Sequence, residues 1–556
     1  MTGWLIPTLV IAATVAAAWP LGRYMRWAMD PPEPRPMRQR YEALIVALLG
    51  RPAAVMQDWK SYCLAMLTFN VLMFLFVYLV LLAQHVLPLN PDGKDGLEAS
   101  LAFHTAVSFT SNTNLQHYSG EVSLSCFSQL FALMWLQFVS AATGIAAVTA
   151  LARALAGRVE LGNFYQDLWR ATGLLLLPLS LVWAVCFALC GMPMTLEGAA
   201  VATTLEGATQ TIARGPVAAF VAIKQLGTNG GGFFGPNSTH PFENPTLLSN
   251  ILANIAINLI PMATVWMFGR ITGRLAHARV IFGVMLTFYL AFVTSASLLE
   301  SRPAAALAEL PVADAMNLEG KELRFGSTAG ALWAVSTTAT SNGSVNAMHD
   351  SLNPLTGLLP LAGMWLNVIF GGVGVGLINM FLFIITAVFL SGMMVGRTPE
   401  YLTRKVEVRE MKLALLALLA HPLFILSGTA LFAVTPWGLE TLHNPGSHGF
   451  SEIVYEFSSA AANNGSGFEG LRDNTVPWNI ATGLIMLLAR FMPIIAPLAI
   501  AGSLAAKRQT PESVGTFRTD TPTFGFVLAG TVFIVGALLF LPLAVLGPIA
   551  EHLGAG

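Results

Sequence analysis

"QLGTNGGGFFGPNS", Gln225 to Ser238, gathers five glycines and one proline between two apolar stretches. So much bare backbone raises the question of what surrounds it. The chain has 556 residues, of which 55% are hydrophobic and 11% charged, whereas soluble domains carry about a quarter charged residues. The glycine-rich stretch therefore belongs to an integral membrane protein. Irregular backbone at membrane depth is tolerated only where it is buried in protein or lines a watery path. A net charge of −1 without a basic cluster argues against nucleic acid as a partner and leaves membrane lipid as the surroundings.

Outward from this stretch, apolar runs of about 20 residues, the length a span needs, occur near 3–22, 61–86, 125–150, 171–192, 247–268, 279–299, 357–390, 412–434, 478–504 and 523–549. The first lacks a basic leader and is followed by Arg23 and Arg26, so it reads as a retained anchor. Basic residues then mark alternate loops. They are Arg23, Arg26, Arg35, Arg38, Arg40 and Arg51; Arg153, Arg158 and Arg170; Arg270, Arg274 and Arg279; Arg397, Arg404, Lys405, Arg409 and Lys412; and Lys507, Arg508 and Arg518. By the positive-inside rule these loops face inward and both termini face outward.

Each outward connection holds a helix-length apolar lead-in, too short to span, followed by a small polar cluster. The clusters align as Asn112-Thr113-Asn114, Thr228-Asn229-Gly230, Ser341-Asn342-Gly343 and Asn463-Asn464-Gly465. Their last positions are 116, 113 and 122 residues apart, the regular spacing of one unit used four times. Asn114 is set against the glycines because Asn, after Gly, best tolerates positive φ. The fold expected is all-α and membrane-embedded: four membrane-pore-membrane units of potassium-channel type, with one extra helix at each end and about ten spans. The divisions are 1–60 (first span and inner loop), 61–160, 161–275, 276–400 and 401–508 (the four units), and 509–556 (last span).

Four such loops about one axis would turn their carbonyls inward, and a ring of carbonyls can replace the hydration shell of K⁺. The twelve cluster positions are thus the candidate filter, with K⁺ as the transported ion and no covalent cofactor. Acids follow each loop, Glu121, Glu243, Asp350 and Glu469, and are expected to draw cations to the outer mouth. Two further features interrupt spans. "FGGVGVG", Phe370 to Gly376, supplies Gly371, Gly372 and Gly374, read as an unwound gate; close helix packing through Gly372 and Gly376 is the competing reading. Arg490 lies about 18 Å along its helix from Trp478, well inside the membrane, where it either faces a cavity or snorkels to an interface.

Other chemistries find little support. Cys63, Cys126, Cys186 and Cys190 form no CxxC and read as packing residues. His104, His117, His240 and His349 fit no HExxH pattern, which argues against an intramembrane metallohydrolase. Neither DKTGT nor GxxxxGK[ST] occurs, so ATP hydrolysis by this chain alone is not expected.

"QLGTNGGGFFGPNSTHPFENPT", "GKELRFG" with "TTATSNGSVNAMHD", and "AAANNGSGFEGL" resemble the potassium-translocating A subunit of the bacterial Kdp P-type ATPase complex, and the likeness covers essentially the whole chain. The resemblance implies an inner-membrane subunit that takes K⁺ from outside while a separate P-type ATPase B subunit supplies energy, with small C and F subunits attached. It implies passage of the ion through an intramembrane tunnel toward the ATPase subunit. It also implies that the twelve positions form the filter, that Arg490 is the basic residue beneath it, and that the glycine-rich break is the internal gate region. Members of this family often carry an acid where this chain has Asn367, which puts ion transfer from pore to tunnel in question here. A standalone Trk/Ktr/HKT-like channel or transporter is the alternative that the repeat by itself leaves open.

Overall fold

The computed structural model describes residues 4–32, 36–303, 317–394, 396, 398–510 and 517–554. Arg35 and Arg397 of the basic set lie outside the described residues. Among the described residues, nine helices are long and apolar enough to cross a membrane, and the bent pair Pro522–Gly536 and Leu538–His552 makes a tenth. Two short antiparallel hairpins, Ala200–Thr203 with Thr209–Ile212 and Glu400–Tyr401 with Arg404–Lys405, are the β-structure among the described residues.

Four of the spans open a unit: Trp59–Val86, Phe164–Leu189, Leu275–Glu300 and Val408–Phe432. Each is followed by a shorter helix, respectively Ala99–Thr110, Val217–Leu226, Ser327–Ala339 and Gly446–Ala462. These have 12, 10, 13 and 17 residues. At 1.5 Å per residue they reach about 15–26 Å, less than the ~30 Å hydrocarbon core. They are nevertheless buried along almost their whole length, which puts them at the centre of the molecule and away from lipid. A second long helix closes each unit: Ser128–Leu155, Leu247–Ile271, the pair Pro354–Leu366 and Val375–Met394, and Val476–Ala505. The third of these is the span expected over 357–390, broken after Leu366 where Asn367 turns left-handed (φ 47°).

The N-terminal helix Leu5–Met29 packs outside this core along Leu247–Ile271, with Gly22 against Ala263 and Trp266, and Trp19 edge-on to Trp266 at 4.7 Å. Its C-terminal end is tied down by charge. Asp30 accepts from Arg153 Nε at 3.0 Å and from Arg158 Nη1 at 2.8 Å, and Arg153 reaches Asp167 at 2.6 Å. Part of the basic excess that marks alternate loops thus holds helix ends together. All four cysteines are free thiols.

Candidate ion-binding site

Each short helix ends directly in one of the polar clusters. Its last carbonyls carry the negative end of the helix dipole, so four such ends favour a cation at the centre. The clusters then share one backbone signature. The first and third residues have positive φ: 65° and 56° at Asn112 and Asn114, 47° and 78° at Thr228 and Gly230, 48° and 91° at Ser341 and Gly343, and 50° and 101° at Asn463 and Gly465. The middle residue of each does not. The identical alternation matches the first cluster to the others with Asn114 at the glycine position. Left-handed backbone is costly for a β-branched residue such as Thr228 and persists only where the surroundings impose it.

The surroundings are the neighbouring loops. A Cβ on Gly230 would lie 1.9 Å from the Asn342 carbonyl oxygen, one on Gly343 would lie 2.2 Å from that of Asn464, and one on Gly465 would lie 2.1 Å from that of Thr113. The second loop therefore abuts the third, the third the fourth, and the fourth the first. Side-chain amides seal the seams. Asn112 donates to the Thr228 carbonyl at 2.9 Å, and Asn229 donates to Asn112 Oδ1 at 2.7 Å, joining the first loop to the second. Asn342 donates to the Lys224 carbonyl, Asn464 to the Thr337 carbonyl and Asn463 to Thr113 Oγ1. The four clusters form a closed ring, and all twelve residues are brought together.

Beneath the ring lies the break in the third unit. Val373 N–H donates to Thr228 Oγ1 at 2.9 Å, Gly371 N–H to the Ala339 carbonyl at 2.8 Å, and Ser341 Oγ to Asn367 Oδ1 at 2.9 Å. Gly371 (φ 56°) and Gly374 (φ 82°) need the left-handed region, and a Cβ on Gly374 would strike the Gly144 carbonyl at 2.2 Å. Gly372 faces Ser341 and Thr228 at ordinary contact distance. The helix is thus unwound where it meets the ring of loops. Arg490 is buried, and its Nη2 donates to the Ser140 carbonyl at 3.2 Å beside Gly144 and Val373. It joins the same assembly and does not reach an interface. A hollow of about 50 Å³ adjoins the break, bordered by Asn367, Asn379, His421, Ala461, Ala489 and Phe540. Asn367 presents a neutral amide there; its backbone carbonyl accepts from Asn379 at 3.2 Å.

The four acids expected at the mouth are engaged elsewhere. Glu243 is fully buried and pairs with the equally buried Lys224. Glu121 accepts from Gly235 N–H, Asp350 pairs with His448 at 2.8 Å, and Glu469 accepts from His349 N–H at 2.8 Å. They brace the loops from behind, so they do not form a free ring of charge. The second loop shows how. Lys224 holds Asn237 Oδ1 at 2.7 Å, and Asn237 donates its amide to the Gly230 carbonyl at 2.7 Å. Sequence reading misses Lys224 and Asn237; a lysine inside an apolar ten-residue helix and an asparagine two residues after the last glycine are the signals that point to them. It also misses Gln116, whose side chain exchanges two hydrogen bonds with Gly232, at 2.7 and 3.0 Å. Above the ring opens a vestibule of about 440 Å³ whose wall includes Gly343, Gly465, Lys321, Gln116 and Asp473.

A multi-pass helical membrane protein with four pore loops closed into one ring is of the channel-like transporter class. The chain belongs to the potassium-transporting ATPase A subunit family, KdpA, whose pattern it matches over residues 8–553. It is 48% identical over 549 residues to a potassium-transporting ATPase potassium-binding subunit of Geobacillus kaustophilus (strain HTA426), covering 98% of each chain. In fold it resembles the potassium transporter TrkH of Vibrio parahaemolyticus, with a TM-score of 0.52 at 14% identity over 86% of this chain and 97% of that one.

Proposed function

We propose that the chain binds K⁺ from the outer side in the four-loop ring and passes it inward as the channel-like, non-catalytic subunit of an ATP-driven uptake complex. The observation that carries this reading is the shared alternation of left-handed residues in four loops that abut one another. Alternating backbone of this kind lines up successive carbonyls toward one axis, where they substitute for the water around a K⁺ ion. The C-terminal ends of the short helices add favourable field for the cation. Below the ring the fixed guanidinium of Arg490 repels the ion, so that straight passage is hindered. The hollow beside Asn367 then offers a lateral way out, toward a partner in the membrane. Asn367 serves this step as a neutral oxygen ligand.

The energy comes from a P-type ATPase B subunit, with C and F subunits completing the assembly. The complex sits in the bacterial inner membrane with both termini of this chain outside. The likeness to TrkH keeps a standalone transporter as the second reading. ATPase activity of the co-purified complex tests the choice. Stimulation by K⁺, together with no ATP-driven K⁺ accumulation in liposomes holding this chain alone, supports the proposal. ATP-driven accumulation by the chain alone contradicts it.

A further inference from the structure

His117 follows the first filter loop, and three residues of the fourth unit converge on it. Its Nε2 lies 3.0 Å from Glu456 Oε1 on the fourth short helix and 3.8 Å from Asp473 Oδ2 in the loop beyond the fourth cluster. The donor atoms of His117, Glu456 and Asp473 all lie within 4.8 Å of one another. The opposite ring nitrogen, Nδ1, bonds Asn479 Oδ1 at 2.7 Å. Asn479 is held in that orientation because its amide nitrogen donates to Ser100 Oγ at 3.1 Å and Asn474 Oδ1 at 3.3 Å. The imidazole therefore donates Nδ1–H to a fixed carbonyl and turns Nε2 toward two carboxylates. That is how a protein orients a metal-binding histidine.

A second observation is independent of the first. His104, on the first short helix, is completely buried, and neither of its ring nitrogens has a hydrogen-bond partner. Its ring stacks on that of His117 with centroids 3.7 Å apart and planes 20° from parallel. A buried imidazole with both nitrogens unsatisfied, stacked on His117, marks a polar pocket that lacks a bound group. No element of the ion filter uses either histidine.

We propose that His117, Glu456 and Asp473 form a site for a divalent transition-metal ion of the Zn²⁺ class at the edge of the vestibule, with the His104 ring stacked behind His117. The spacing fits such an ion. Bonds of about 2.0–2.2 Å at a tetrahedral angle separate neighbouring donors by about 3.3–3.6 Å, a range that the 3.0 and 3.8 Å separations bracket. One imidazole with two carboxylates suits Zn²⁺ and disfavours Mg²⁺ and Ca²⁺, which prefer oxygen throughout. On binding, the ion takes the Nε2 lone pair and the proton there leaves to water. Access is from the vestibule, because Asp473 lines that cavity. The ion would clamp the first unit to the fourth, across the seam that closes the ring.

The test is a Zn²⁺ titration of the purified full-length chain in detergent, with metal content measured after dialysis and Co²⁺ used as a spectroscopic substitute. One tightly held equivalent is expected, with a visible Co²⁺ spectrum of N/O coordination and no comparable binding of Mg²⁺. Glu456→Gln and Asp473→Asn should each abolish it, and Asn479→Ala should weaken it roughly 10–100-fold. Asp473 is partly exposed, so Asp473→Asn serves if Glu456→Gln does not fold. Absence of a bound equivalent in the wild type overturns the proposal. So does an equivalent that persists in folded Asp473→Asn, because it must then lie elsewhere.

Discussion

Gly230→Ala is the sharpest perturbation of the filter. The residue has φ 78°, where an L side chain costs about 1–2 kcal/mol. The new methyl would also sit 1.9 Å from the Asn342 carbonyl oxygen, 2.4 Å from Ser344 N and 2.6 Å from the Asn342 carbonyl carbon. All three are backbone atoms of the adjoining loop, so none can swing aside as a side chain would. Relieving the overlap means shifting the third loop, and overpacking of this kind costs about 1–3 kcal/mol. Together these give about 2–5 kcal/mol against the ion-binding geometry. At about 1.4 kcal/mol per tenfold, the K⁺ concentration for half-maximal uptake should rise roughly 30- to several thousand-fold. Discrimination against Na⁺ should fall with it. The assay is K⁺ uptake, with Na⁺ competition, in cells dependent on this system. Gly283→Ala is the control, because nothing lies within 4 Å of its added methyl. A folded Gly230→Ala protein with unchanged half-saturation and unchanged ion preference would show that the ion does not depend on this loop contact.

Three further outcomes concern other parts of the molecule. Arg490→Gln should raise passive K⁺ leak far more than Arg490→Lys, as measured by ⁸⁶Rb⁺ flux; equal failure of both to assemble would assign Arg490 a purely structural role through the Ser140 carbonyl. Glu243→Ala strands the buried Lys224 ammonium and should cost about 3–5 kcal/mol of stability in denaturant unfolding, largely recovered by adding Lys224→Met; an unchanged unfolding midpoint in the single variant contradicts this. His448 is partly buried, which pulls its pKa down, but hydrogen bonds to Asp350 and Glu551 outweigh this and hold it at about 10. The raised value means that the bridge stabilises fully below the ordinary histidine range near 6.5 and is lost as pH climbs toward about 10. The melting difference between wild type and His448→Gln should therefore shrink over that window, and a constant difference would exclude the bridge.

The ring of four loops is legible in the sequence because its demands are local. A position with positive φ in a polar loop selects Gly or Asn, and four loops that repeat this choice at similar spacing expose one another. Asn112 and Asn114 can be placed from residue type and spacing alone for that reason. The break at Phe370–Gly376 and the depth of Arg490 are legible on similar grounds, since glycine and charge are both rare within spans. Pairings between residues far apart in the chain are not. In sequence the acids after each loop resemble a mouth charge; in the fold Glu243 meets Lys224 and Asp350 meets His448. His117 stands as an isolated histidine along the chain because Glu456 and Asp473 reach it from more than 300 residues away. Fourfold repetition tells which loops share a ring; the side chains that fill each seam differ, and only their positions in space reveal them.

One ring of four loops is proposed to hold the transported ion. Its most direct measurement is an experimental structure of the complex in Tl⁺, with anomalous scattering used to locate the ion. Tl⁺ density is expected on the axis enclosed by residues 112–114, 228–230, 341–343 and 463–465, displaced by K⁺ and absent in Gly230→Ala. A ring empty of Tl⁺ under conditions that support transport, or Tl⁺ bound only at other places in the protein, would contradict it.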